Sequence, residues 1–208
     1  KPKRSRWWVW LLGLLVVVGG VLFILGGNNE EKEIPQTSAP YKVGDYYNEN
    51  GKRGVVFEVW DGGRHGKIVS LDETEAPWDS RVVCDGGYEN YFNGTVTEAN
   101  SWGDGKANTD KIMSRSDREI FIPFVWCRKK GDDWYLPASE ELKTIYKNKS
   151  AINSTLAEYG GAKLRSKGAY WSSTEEEKFN AWLVLMRDGL TYFDPKSDVH
   201  YVRAVSAF

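Results

Sequence analysis

The chain has few of the residues that most often carry metal and thiol chemistry. Its 208 residues include two cysteines, Cys84 and Cys127, and two histidines, His65 and His200. No C-x-x-C pair occurs, so the usual signature of a zinc knuckle or dithiol redox centre is missing. Neither histidine has an acid or nucleophile at a recognised spacing, and no catalytic residue, metal or cofactor is assigned. An excess of one charge is lacking too. Lys and Arg total 28 against 29 Asp and Glu, a net charge of -1. With no basic stripe there is no electrostatic case for a nucleic-acid partner. Internal repeats and low-complexity tracts are absent.

One long apolar run is present. Residues 7–27, WWVWLLGLLVVVGGVLFILGG, carry no charge and follow the basic stretch KPKRSR. About 20 apolar residues span a bilayer as a helix. Trp7, Trp8 and Trp10 cluster at one end as interfacial anchors do. The sequence therefore predicts a single transmembrane helix, a cytoplasmic N-terminal flank over 1–6, and an extracytoplasmic remainder; a cleaved signal peptide is the rival reading. Residues 28–40 are polar and proline-containing and read as a linker, leaving 41–208 as one domain. An exported domain would permit a disulfide between Cys84 and Cys127, with free thiols the equal alternative.

Within 41–208 the pattern predicts an α+β domain, loop-rich, with short antiparallel strands and one or two helices. Asn50-Gly51 marks a hairpin turn, and residues 55–60 and 67–71 read as strands. A helix is expected near 108–114, capped by Asn108 or Thr109. A clearer one follows Pro137, with Ser139 as N-cap and Leu142, Ile145 and Tyr146 at helical spacing. Asp85, Asn90, Asp104 and Asn108 fit turns better than a calcium loop. Ser172, Ser173 and Thr174 fit backbone hydrogen bonding in a tight turn better than nucleophiles.

The ordered segments DWYLPASEEL, YWSSTE, AW and YVRAV, with DGKANTDKI and IPFVWC upstream, resemble the Lcl C-terminal domain family. That resemblance implies a C-type-lectin-like fold related to that of the formylglycine-generating enzymes. The late cysteine pair that binds copper in those enzymes has no counterpart after Cys127, which argues against oxidase activity. The group also resembles the variable proteins of diversity-generating retroelements, whose C-terminal segment is randomised between scaffold residues.

The segment 181–205 fits that arrangement. Alternation places Trp182, Val184 and Met186 on one face of a strand, expected to be core, and Leu183, Leu185 and Arg187 on the other. The expected ligand-binding residues are Phe179, Leu183, Leu185, Arg187, Leu190, Tyr192, Phe193, Asp194, Ser197, Asp198, Val199 and His200. The expectation is a non-catalytic, membrane-anchored binding protein of the cell surface, taking a protein or glycan ligand. The alternatives are a divergent formylglycine-generating-type enzyme and a structural envelope component. A competing arrangement covers the outward face with loops and makes Leu183 and Leu185 ordinary core.

Overall fold

The computed structural model describes residues 40–85 and 91–208, all within the compact unit Thr37–Phe208. The transmembrane helix expected over 7–27, its basic flank and the linker up to residue 39 lie outside the described residues. Among those described, no helix is long and apolar enough to cross a membrane.

The chain opens with a hairpin, β1 (Tyr46–Glu49) and β2 (Lys52–Trp60). Asn50 and Gly51 turn it with φ of 54° and 74°. Positive φ at both positions is what a tight two-residue hairpin needs, and why Asn-Gly signals one. β3 (His65–Val69) pairs antiparallel with β2 across a bulge between Val56 and Glu58. β4 (Thr74–Pro77), β5 (Val83–Cys84) and β6 (Tyr91–Phe92) follow.

Four helices come next among the described residues: α1 (Gly105–Met113), α2 (Ile122–Arg128), α3 (Ser139–Lys147) and α4 (Lys149–Glu158). The rest is strand: β7 (Ala169–Glu175), β8 (Asn180–Leu185), β9 (Thr191–Pro195), β10 (Val199–Val202) and β11 (Val205–Ala207). The expectation of one or two helices is thereby corrected. α2 starts at an Ile-Pro step in a run apolar on every side, IPFVWC, so it shows no helical periodicity in the sequence. α4 leaves α3 at a single junction residue, Asn148, and so reads as a continuation.

The caps also differ from expectation. Asp104 caps α1, its carboxylate accepting from Ala107 N–H at 2.8 Å. Asn108 and Thr109 are buried inside that helix. Asn108 braces Ser101 through two hydrogen bonds, and Thr109 accepts from Leu136 N–H. At α3 the residue before the helix is Ala138, whose N–H donates to the Glu141 carboxylate at 2.8 Å. Ser139 is inside the helix and turns its hydroxyl to Ser172 and Thr174.

Two sheets carry the fold. One has the order β1-β2-β3-β11 and the other β4-β10-β7-β8-β9, with a small β5-β6 ribbon beside them. The stretch 199–207 serves both large sheets: β10 enters the second, parallel to β7, and β11 closes the first against β3. Arg203, fully buried at the crossing, donates to Ser70 C=O, to the Glu73 carboxylate at 3.0 Å and to Ala162 C=O.

β8 is buried on both sides. Leu183, 1% exposed, joins Trp78, Phe121, Phe124 and Trp171 in one hydrophobic cluster, and Leu185 packs against it. Val184 and Met186 join Leu142, Ile145, Ile152 and Tyr170 in another. α3 supplies the second cover, while α2 and the segment before it supply the first. The expectation that Leu183 and Leu185 face a ligand is therefore corrected: Leu183 is core, and Leu185 is half-buried against the same cluster. An alternating pattern identifies the two faces of a strand but not whether a second layer covers the outer one.

Candidate functional site

β9 is the edge strand of the five-stranded sheet and lies opposite β8, with Leu183 facing Tyr192 and Trp182 facing Phe193. Directly opposed residues share a face of the sheet. Tyr192 and Asp194 thus emerge on the side of Leu183 and Ala181. Phe193 emerges on the other side, where its ring meets Trp182 edge-on at 5.4 Å and Trp182 meets Trp102 at 5.0 Å. Trp182, expected in the core, is half-buried in this aromatic cluster. Lys143 of α3 lies over the Trp102 ring.

The apolar residues of this rim are open to solvent: Leu190 53%, Tyr192 46%, Phe193 50% and Val199 58% exposed. Gly189 (φ 75°) turns β8 into β9, and a Cβ there would sit 2.4 Å from the Tyr146 ring. Glycine thus satisfies both the backbone and the close approach of α3. Arg187 is exposed and pairs with Asp188 at 2.9 Å. Phe179 is half-buried and lies beside the Tyr91 ring at 6.0 Å, against Gly94. Of the twelve expected residues, the rim brings together Leu190, Tyr192, Phe193, Asp194, Ser197, Asp198, Val199 and His200. It excludes Leu183 and Leu185.

A buried ion pair fixes the turn between β9 and β10. Lys196 is fully buried and donates to the Glu175 carboxylate at 2.6 Å, to Thr95 C=O at 3.0 Å and to Lys178 C=O at 3.1 Å. The amine lies 4.7 Å from the centre of the Trp78 ring. Glu175 in turn accepts from the N–H groups of Thr97 and Glu98. Burial pushes the Lys196 amine down from its ordinary value, and the Glu175 charge opposes this. Three elements are tied at one cation, so the exposed rim rests on a rigid base.

On the Tyr192 side, three side chains converge. Asp194, Asp198 and His200 each offer a ligand-type atom within 4.8 Å of the others. His200 Nε2 lies 2.9 Å from Asp194 Oδ2. The His200 ring stands edge-on to Trp171 at 4.6 Å. Burial, then the charge of Asp194, pushes the Asp198 carboxyl up. Burial first, then Cys84, Asp198 and Asp194, raise the Tyr91 phenol, so the β5-β6 ribbon borders this cluster. His200 was read from the sequence as lacking a positioned partner. The signal was there in the spacing D-x-x-x-D-x-H across a turn, legible only once the turn at 196–198 is known to carry the chain from β9 to β10.

The remaining candidates separate. His65 is exposed near Asp61, at 4.0 Å. Ser172, Ser173 and Thr174 are fully buried and spend their hydroxyls on structural hydrogen bonds. Cys127 is buried and Cys84 exposed, and the two are not joined in a disulfide, one of the two alternatives the sequence left open. Burial pushes the Cys127 thiol far up from its ordinary value.

Comparison with known proteins places this geometry. No curated protein matches the chain. Among solved structures it is similar to a fimbrial protein from Bacteroides ovatus, with a TM-score of 0.61 and 17% identity over 81% of this chain. That alignment spans 49% of the fimbrial protein, so the chain matches about half of its length. The likeness is one of fold, and it replaces the C-type-lectin-like architecture expected from the sequence. The Lcl C-terminal domain family matches residues 72–206, from the approach to β4 to the last strand. The chain belongs to the Lcl C-terminal domain family.

Proposed function

We propose that the protein is a non-catalytic binding component displayed outside the cytoplasm, contacting a protein or glycan partner through the rim formed by β9 and the β9–β10 turn. The observation that carries this reading is the half-exposure of Leu190, Tyr192 and Phe193 on and just before the edge strand β9, with Val199 exposed just past the β9–β10 turn. Clustered exposed apolar side chains of this size mark interaction surfaces. Tyrosine in particular supplies contact area at low entropic cost. Family membership and the fimbrial fold support a surface location. Diversification of this segment would have to spare Leu183, whose replacement opens the core, and would act chiefly on the exposed rim. The test is to screen the labelled chain on glycan and bacterial-surface-protein arrays. Reproducible binding to a restricted set of partners supports the reading, and uniform failure across both arrays counts against it.

A structural role is the second reading, favoured by one specific observation: among the described residues, β9 has no strand on its outer side. Its free backbone groups offer pairing to a strand of a neighbouring subunit. Concentration-dependent assembly in sedimentation, lost when proline replaces Phe193, whose N–H points away from β8, would select this reading over the first.

A further inference from the structure

The convergence of Asp194, Asp198 and His200 has a feature that hydrogen bonding does not explain. His200 Nε2 approaches Asp194 Oδ2 to 2.9 Å, yet this buried nitrogen makes no hydrogen bond. The two atoms are close but not aligned as donor and acceptor. That disposition suits two ligands aimed at a shared third atom. Ligand atoms about 2.0–2.1 Å from a tetrahedral zinc ion lie roughly 3.3 Å apart, close to this spacing.

The surroundings agree. Two carboxylates crowd one turn, and among the described residues no lysine or arginine pairs with either; Asp198 has only Ser197 Oγ, at 3.5 Å. A cation would relieve that repulsion. Trp171 holds the imidazole plane from below. Asp198 is exposed, so its side chain is free to close the remaining distance. The turn carrying it is held by Asp198 N–H to Pro195 C=O and by the Lys196 ion pair.

We propose that Asp194, Asp198 and His200 form a binding site for a divalent transition-metal ion, zinc being the best match. One imidazole nitrogen and two carboxylate oxygens suit zinc, whereas calcium takes six to eight oxygens and magnesium an octahedral shell of them. Three protein ligands leave a coordination position for water or for an oxygen atom of a bound partner, on the same rim as Tyr192 and Val199. Metal binding here needs no partner, so it stands whether or not the rim is a ligand face.

The experiment uses the full, untagged chain, stripped with a chelator and titrated calorimetrically with zinc chloride at neutral pH, with calcium and magnesium chloride for comparison. A single zinc ion per chain is expected, with calcium and magnesium far weaker. His200→Gln and Asp194→Asn should each weaken zinc binding by at least about tenfold, with metal-free melting curves close to wild type. No zinc binding overturns the proposal, as does equal binding by wild type and both variants. Binding that survives His200→Gln but disappears with Cys84→Ser places the ion elsewhere and also overturns it.

Discussion

Replacing Leu183 by alanine separates a core residue from a surface one. Leu183 is 1% exposed, sits between the strands bearing Trp171 and Tyr192, and contributes to the cluster with Trp78 and Phe124. Truncation removes the transfer free energy of the lost carbons and leaves a cavity. For a leucine this deeply buried the cost is about 2–5 kcal/mol. In a domain of this size each kcal/mol moves the melting temperature by about 2–4 °C, so a cost near about 3 kcal/mol predicts a fall of about 6–12 °C. Tyr192→Ala, on the opposed position but 46% exposed, should cost under about 1 kcal/mol. Paired urea unfolding curves with a common m-value give both numbers. A Leu183→Ala chain within about 0.5 kcal/mol of wild type would refute the placement of β8 between two covered faces.

Other consequences follow from buried and paired groups. Lys196→Met leaves Glu175 as an uncompensated buried charge and should cost about 3–5 kcal/mol in chemical unfolding; a neutral outcome would mean that the Thr97 and Glu98 amides satisfy the carboxylate alone. The Arg115 hydrogen bond holds the Asp117 carboxyl below its ordinary value. A lowered folded-state value contributes stability that is present above the unfolded value and lost as pH falls through the folded one. Asp117→Asn should therefore cost under about 1 kcal/mol at neutral pH, the pair being partly exposed, and the difference from wild type should vanish in strong acid, read from melting temperatures across an acid series. Iodoacetamide on the native chain should label Cys84 and not Cys127, with both labelled after unfolding; protection of both in the native, unreduced protein would indicate a disulfide.

The sequence carried the hairpin at Asn50-Gly51 and the helix after Pro137, because each depends on local backbone chemistry. Exposed residues such as Tyr192 and Val199 were among those it proposed for a ligand face, although the outward face it argued from rested on Leu183 and Leu185. It could not show that Leu183 is covered, since cover comes from α2 and Phe121, some sixty residues earlier in the chain. Nor could it show that 199–207 divides between two sheets at Arg203, because one alternating run serves either as a single strand or as two. The Asp194–Asp198–His200 group was hidden for the same reason: it needs the turn pinned by Lys196, a residue whose burial depends on Glu175 and Trp78. The C-type-lectin-like expectation came from family resemblance rather than from these residues, and the fimbrial fold corrects it.

The central claim is that the exposed rim, and not the core beneath it, makes the contact with a partner. The most direct measurement takes the strongest array partner and compares its affinity for wild type and for a chain with Leu190, Tyr192, Phe193 and Val199 all changed to serine. The account predicts a loss of at least about a hundredfold, as for removal of central apolar anchors, with the melting temperature within a few degrees of wild type. Unchanged affinity at unchanged stability would contradict it.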